Sequence, residues 1–155
     1  MNRYSININI NEYLPDELNE EQQKLVAAAF DACKLSYAPY SKFKVGAAVL
    51  LQNGEIIQGS NQENVAYPSG LCAERVAMFY TNSRFPNIPI VAICVASNSE
   101  GINKNPISPC GACRQALLQS ELRFGNNIKV LMAADKIVEV NSIKDLLPLA
   151  FSEIG

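Results

Sequence analysis

Three cysteines and one glutamate, arranged in two short motifs, constrain this chain more than any other feature of its sequence. The motifs are Cys-Ala-Glu at residues 72–74 and Pro-Cys-Gly-Ala-Cys at residues 109–113, in a chain that contains no histidine. Three thiolates can hold a zinc ion and leave its fourth coordination position open, which distinguishes catalytic zinc sites from structural ones. We therefore predict that Cys72, Cys110 and Cys113 bind zinc.

The absence of histidine also limits which side chain can perform acid–base chemistry. Histidine is the usual general base near neutral pH, so in this chain a carboxylate must take its place. Glu74 follows Cys72 by two residues and is the predicted catalytic residue. Three thiolates around Zn²⁺ leave a net negative charge, which weakens the ion as a Lewis acid. Arg75 is predicted to offset this charge by donating hydrogen bonds to the ligand sulfurs.

The composition favours a globular protein that acts on a small molecule. The chain has 155 residues, of which 48% are apolar and 18% charged, enough for a single domain with a sizeable core. A formal net charge of −2 and scattered basic residues argue against a nucleic-acid partner. There is no apolar run of about 18 residues and no export signal pattern, so we expect a cytoplasmic protein without a membrane span. Five cysteines, an odd number, favour reduced thiols and a metal site over disulfides.

Hydrophobic periodicity predicts a chain in which strands and helices alternate. The predicted strands cover residues 43–51, 55–60, 88–97, 128–133 and 137–140. The first predicted helix begins after a capping box at Asn19 and ends near residues 37–39, and the second covers residues 72–82. The third begins with Ser108 as N-cap and Pro109 as its first residue, and a short fourth helix lies within residues 142–149.

These elements predict an α/β fold of three layers, α-β-α, around a mixed central sheet. The nearly continuous apolar run at residues 88–97 is typical of a central strand covered on both faces. We expect residues 1–155 to form one domain, with residues 1–18 as an N-terminal extension. The alternation within residues 3–10 leaves open a short strand or a peripheral arm.

Beyond these patterns, the chain resembles the small cytidine deaminases of the homotetrameric type over residues 38–151. The motifs that carry the resemblance are Ala-Pro-Tyr-Ser at 38–41, Phe-Lys-Val-Gly-Ala-Ala at 43–48, Gly-Ser-Asn-Gln-Glu-Asn-Val-Ala-Tyr-Pro at 59–68, Cys-Ala-Glu-Arg at 72–75, Ser-Pro-Cys-Gly-Ala-Cys-Arg-Gln at 108–115 and Leu-Leu-Pro at 146–148. The resemblance implies zinc-dependent hydrolysis of cytidine and 2′-deoxycytidine to the uridines with release of ammonia, a reaction of pyrimidine salvage. A zinc-activated water would attack C4, and Glu74 would carry the proton to N3 and the departing amino group.

The resemblance also implies which residues bind the substrate. Asn61 and Glu63 match a pair that holds ribose hydroxyls, and Phe43 matches an aromatic that packs on the pyrimidine. The backbone of Ala73 matches a group that contacts the base. Phe151 matches an aromatic that enters the site of a neighbouring subunit, so the resemblance implies a homotetramer. The chain departs from the family pattern at Ser60, where cysteine is common, at Lys44, where proline is frequent, and in its longer N-terminal segment.

Other functions are compatible with parts of the pattern. A deaminase of a related cytosine nucleoside, such as blasticidin, would carry the same metal motifs. A nucleic-acid-editing deaminase would share the chemistry but needs a basic surface. A structural zinc knot in a binding module would use the same cysteines without catalysis, although three cysteines with an adjacent glutamate and no obvious fourth ligand argue against it. Cys33 and Cys94 lie in apolar stretches and are expected to be buried thiols, while Arg114 and Gln115 are expected to be structural helix residues.

Overall fold

A six-stranded mixed β-sheet organises the computed structural model of the chain, which describes residues 1–98 and 105–153. The strands are β1 (Asn11–Tyr13), β2 (Val45–Leu51), β3 (Ile56–Ser60), β4 (Ile90–Ser97), β5 (Lys129–Ala133) and β6 (Ile137–Val140), and the helices are α1 (Glu20–Ala32), α2 (Ala73–Arg84), α3 (Gly111–Phe124) and α4 (Ile143–Leu146). The strand order is β1-β6-β5-β4-β2-β3. Strands β4 and β5 pair in parallel and the other four pairings are antiparallel.

The side chains of the central strands alternate between two apolar clusters, one on each face of the sheet. From β2, Ala47, Val49 and Leu51 join a cluster with α2, α3 and α4. Ala48 and Leu50, the intervening residues, join a second cluster with α1. Helices therefore cover both faces, which confirms the predicted α/β class and the mixed sheet with helices on both of its sides.

The first helix begins where its local sequence predicts. Asn19 Oδ1 accepts a hydrogen bond from the Gln22 amide at 2.9 Å, and Gln22 Oε1 accepts one from the Asn19 amide at 3.1 Å. This reciprocal pair satisfies two backbone donors that would otherwise lack partners at the helix start. Both residues lie within four positions of each other, so the contact forms without help from the rest of the fold.

The start of α3 corrects a prediction. The helix begins at Gly111 with Cys110 as N-cap, not at Pro109 with Ser108 as N-cap. Ser108 Oγ instead accepts a hydrogen bond from Arg114 Nη2 at 2.8 Å. The Ser108 hydroxyl is therefore taken up by a side chain one helical turn into α3.

Both ends of the chain are less regular than the sequence patterns suggest. The last predicted helix is confined to Ile143–Leu146, because Pro148 disfavours helical geometry at Leu147, whose φ and ψ are −140° and 63°. Residues 3–10 form neither helix nor strand and are exposed, which favours a peripheral arm. The extension contributes β1, which pairs with β6. The assignment of residues 1–155 to one domain stays a prediction.

No helix in residues 1–98 or 105–153 combines the length and apolarity needed to cross a membrane.

Glycine at position 59 lets α2 lie directly against β3. A Cβ added at Gly59 would approach the Ala77 amide nitrogen to 2.5 Å and the Ala73 carbonyl oxygen to 2.7 Å. Both atoms belong to helix backbone, which cannot rotate away as a side chain can. The missing side chain therefore sets the depth at which the first turns of α2 pack on the sheet.

We expect Gly59→Ala to push α2 away from the sheet and to lower the free energy of unfolding by about 3 kcal/mol, at the upper end of the usual cost of overpacking. Gly111→Ala is the matched control, because a Cβ at Gly111 meets no atom of residues 1–98 or 105–153 within 4 Å. The control is expected to change the free energy of unfolding by less than about 0.5 kcal/mol. Urea denaturation followed by circular dichroism measures both, and equal stability of the two variants would contradict the packing argument.

Candidate active site

Two helix N-termini bring the three motif cysteines together. Cys72 is the N-cap of α2, Cys110 is the N-cap of α3, and Cys113 lies in the first turn of α3. The three Sγ atoms lie within 4.8 Å of one another, and those of Cys72 and Cys110 are 3.8 Å apart. A tetrahedral zinc ion with Zn–S bonds of about 2.3 Å holds its sulfurs about 3.8 Å apart. The donor set and its spacing therefore fit one zinc ion, with a fourth position left for another ligand.

The surroundings of Cys72 favour its thiolate form. A hydrogen bond from the Cys113 thiol, reinforced by Arg75, lowers the pKa of Cys72 to about 5 in spite of partial burial. Arg75 Nη2 lies 3.7 Å from Cys72 Sγ. Donation to Cys72 and burial together raise the pKa of Cys113. The structure thus places the Arg75 guanidinium beside the ligand sulfur, as expected for its predicted role, which itself stays a prediction.

Glu74 lies in the first turn of α2 with only 4% of its surface exposed. Burial raises the pKa of its carboxyl above the usual range, while a hydrogen bond from its own backbone amide opposes this shift. The negative charge of Cys72 raises the pKa further. The carboxyl is thus an electrostatic neighbour of the cysteine cluster, in an environment that suits a group that takes up and returns a proton.

A cleft of about 530 Å³ opens beside Cys72. Its lining includes Arg75, Asn61 and Glu63 together with Tyr40 and Tyr67. The volume lies in the range of pockets that hold small organic ligands. The cleft therefore joins the metal-ligand cluster to two of the residues predicted to bind a sugar.

The other predicted substrate residues lie outside this lining. Phe43 is half-buried in the loop before β2, and Ala73 is fully buried as the first residue of α2. Phe151 is 70% exposed, and its carbonyl oxygen accepts a hydrogen bond from Gln115 Nε2 at 2.9 Å. The roles assigned to these three residues stay predictions.

The Asn61 side chain is mainly engaged in hydrogen bonds to neighbouring segments of the chain. Its Oδ1 accepts hydrogen bonds from the Ser36 hydroxyl and from the Val45 amide, the latter at 2.9 Å, and its Nδ2 donates to the Phe43 carbonyl at 2.9 Å. An asparagine side chain offers two acceptor sites and two hydrogens. These three contacts leave one amide hydrogen for a ligand, so Asn61 can contribute a single donor to the cleft.

Glu63 is held in a similar way by the loop that faces it. Its carboxylate accepts hydrogen bonds from the amides of Tyr40 and Ser41, at 2.9 and 3.2 Å, and from the Ser41 hydroxyl. The hydroxyl contact is the main reason that the pKa of Glu63 is lowered. The carboxylate therefore stays charged at neutral pH, and these three hydrogen bonds leave one of its four acceptor positions for a ligand.

Two tyrosines in the cleft were missed by the sequence reasoning. The rings of Tyr40 and Tyr67 meet edge to face with centroids 6.0 Å apart. Tyr40 lies in the motif at 38–41 and Tyr67 in the motif at 59–68, so the family resemblance could have identified both as site residues. Their contact itself could not be predicted, because 27 positions separate them in the chain and only the fold brings them together.

Comparisons with known proteins agree with this geometry. Residues 19–125 match the sequence model of the family described as "Cytidine and deoxycytidylate deaminase zinc-binding region". A cytidine deaminase from Halalkalibacterium halodurans is 37% identical over 134 residues, covering 85% of this chain and 95% of the relative. One from Sporosarcina psychrophila is 40% identical over 131 residues, covering 84% and 91%.

A solved structure extends the similarity to three dimensions. The crystal structure of cytidine deaminase from Burkholderia pseudomallei matches with a TM-score of 0.69 and 38% identity, covering 83% of this chain and 97% of the other. The family match spans both cysteine motifs. The chain therefore belongs to the cytidine and deoxycytidylate deaminase family.

Proposed function

We propose that this protein hydrolyses cytidine and 2′-deoxycytidine to uridine and 2′-deoxyuridine, with release of ammonia. The observation that carries the proposal is the spacing of the Cys72, Cys110 and Cys113 sulfurs beside a buried glutamate and an open cleft. Three sulfur ligands leave room for a further ligand, which a structural zinc knot would not provide. The names of the relatives support the choice of substrate.

The side chains of this chain divide the work of the reaction. A zinc ion held by the three sulfurs supplies Lewis-acid activation of the attacking water. Glu74 accepts one proton of that water and delivers it to N3 of the pyrimidine. It then transfers the remaining proton of the hydroxyl added at C4 to the amino group, which leaves as ammonia as the C4 carbonyl forms. Backbone amides at the starts of α2 and α3, next to the cysteine N-caps, would stabilise negative charge that develops in the transition state. Arg75 offsets the charge of the three thiolates.

The cleft residues orient the nucleoside. Asn61 and Glu63 line the cleft and provide one amide hydrogen and an ionised carboxylate, which suit sugar hydroxyls. Phe43 and the Ala73 backbone, which lie outside the cleft lining, supply the contacts with the base that the family resemblance implies. A panel of cytidine, 2′-deoxycytidine and blasticidin, with ammonia release as readout, tests this assignment. Turnover of blasticidin without turnover of either nucleoside would replace the substrate and retain the chemistry.

Assembly into a homotetramer in the cytoplasm is part of the same proposal. Near the C-terminus, Leu149 is 95% exposed and Phe151 is 70% exposed. Leu149 also has a φ of 57°, a conformation that bulky residues rarely adopt. Two exposed apolar side chains on one short segment are typical of a surface that a partner covers. Light scattering after size-exclusion chromatography measures the assembly, and a monomer at micromolar concentration would contradict it.

Removing one predicted ligand is expected to remove the metal. We expect Cys110→Ala to lower bound zinc from about one ion per chain to a small fraction of that, because two sulfurs cannot define a tetrahedral site. Cys94→Ala is the matched control, since Cys94 is buried in the α1-facing cluster, away from the three ligands. Metal analysis after dialysis measures both variants, and full zinc content in Cys110→Ala would refute the ligand assignment.

Removing the proton-transfer group is expected to spare the metal. We expect Glu74→Gln to retain zinc and to lose about 10²–10⁴-fold in kcat, the usual contribution of a general acid–base residue. Glu121→Gln is the control, because Glu121 is also a buried helix glutamate, and its Oε1 accepts hydrogen bonds from Ile128 and Ser142. Loss of cytosine absorbance measures turnover. A Glu74→Gln enzyme as active as the Glu121→Gln enzyme would rule out the proposed role.

A further inference from the structure

The guanidinium of Arg114 makes three hydrogen bonds next to a metal ligand, two to the segment that precedes α3 and one to the end of α4. Nε donates to the Pro109 carbonyl at 2.7 Å, Nη2 donates to Ser108 Oγ at 2.8 Å, and Nη1 donates to the Leu146 carbonyl at 2.7 Å. The Arg114 backbone amide donates to the Cys110 carbonyl at 2.9 Å. Side chain and backbone of Arg114 thus bind the two consecutive carbonyls that flank the Cα of Cys110.

On the other helix, the residue before the equivalent ligand Cys72 is held by backbone hydrogen bonds. Cys72 follows Leu71, and Leu71 exchanges two hydrogen bonds of 2.9 Å with Gln62, one from each backbone amide to the other carbonyl. This two-way bridge fixes the chain just before the N-cap of α2. Within the described residues, neither N-cap cysteine makes a side-chain capping bond, so the backbone just before each cysteine helps to position its sulfur.

Pro109 cannot form such a bridge. Proline has no backbone N–H, so its carbonyl is the one main-chain group through which it can be held by a hydrogen bond. In the structure Arg114 Nε occupies that carbonyl. Cys110 is exposed, so packing does little to restrain it. We propose that Arg114 is a positioning residue for the zinc ligand Cys110, replacing with its side chain the backbone bridge that holds Cys72.

The contact with Leu146 extends this restraint to the C-terminal helix. Leu146 ends α4, and its carbonyl has no partner within the helix, as is usual at a helix C-terminus. The guanidinium donates a hydrogen bond to this carbonyl and thereby links the segment at Pro109 to the end of α4. Three donors that point in fixed directions are a property of arginine, and the single ammonium of lysine cannot reproduce them. The inference rests on zinc binding by the proposed site.

The experiment compares zinc retention in the full-length wild-type protein, Arg114→Lys and Arg123→Lys. Arg123 is the matched control, because it lies on the same helix and also donates to a carbonyl, that of Pro86, at the far end of α3. Zinc release into a chromogenic chelator gives the dissociation rate, and the thiolate-to-cobalt absorption of Co²⁺-loaded protein reports the geometry of the sulfurs. We expect Arg114→Lys to release zinc about 10-fold or more faster and to show an altered cobalt spectrum. Arg123→Lys should match the wild type in both.

The other possible results of this experiment each support or contradict the positioning role of Arg114. Wild-type retention in Arg114→Lys, or equal acceleration in both lysine variants, would overturn the positioning role while leaving the proposed function intact. A wild-type protein that binds no zinc would overturn both. If Arg114→Lys does not fold, Ser108→Ala removes one of the three contacts, and a rate increase of about 3-fold supports the inference whereas an unchanged rate overturns it.

Discussion

The convergence of two helix N-termini on one point is the constraint on which the rest of this molecule depends. The starts of α2 and α3 bring three sulfurs within 4.8 Å, although 38 positions separate Cys72 from Cys110. Thiolates repel one another, and partial positive charge at helix N-termini lowers the cost of holding them together. The sheet positions both helices, and the depth of α2 is set by the bare backbone of Gly59. The core therefore serves the site by fixing where two helices begin.

The charges around this point are arranged in an order that fits the proposed chemistry. Arg75 contacts the sulfur of Cys72 and favours its anionic form. Glu74, one residue earlier, is buried and has a raised pKa. Two adjacent positions on one helix turn thus show opposite effects: the Arg75 guanidinium lowers the pKa of the Cys72 thiol, whereas burial raises the pKa of the Glu74 carboxyl. Burial explains the difference: the Glu74 side chain is buried, whereas that of its neighbour Arg75 is only partly buried.

Sequence reasoning succeeded where the determining contacts are local. The capping box at Asn19 and the central strand β4 follow from neighbours within a few positions or from a simple apolar run. It failed at Ser108, because the partner of that hydroxyl is an arginine side chain whose direction depends on α3. It also missed the internal bonding of Asn61, whose partners lie 16 to 25 positions away. The residue type suggested a ligand contact, and the fold uses most of its capacity for structure.

The sequence by itself determined the chemistry that is possible here: three sulfur donors, a carboxylate in place of histidine, and the helices and strands that carry them. These follow from side-chain type and from periodicity, which act over a few residues. Tertiary structure alone decided that the sulfurs lie at zinc-binding distances, that a cleft opens beside Cys72, and that Arg114 braces the loop before Cys110. Those outcomes depend on the packing of helices against a shared sheet, which brings together groups that no local pattern relates.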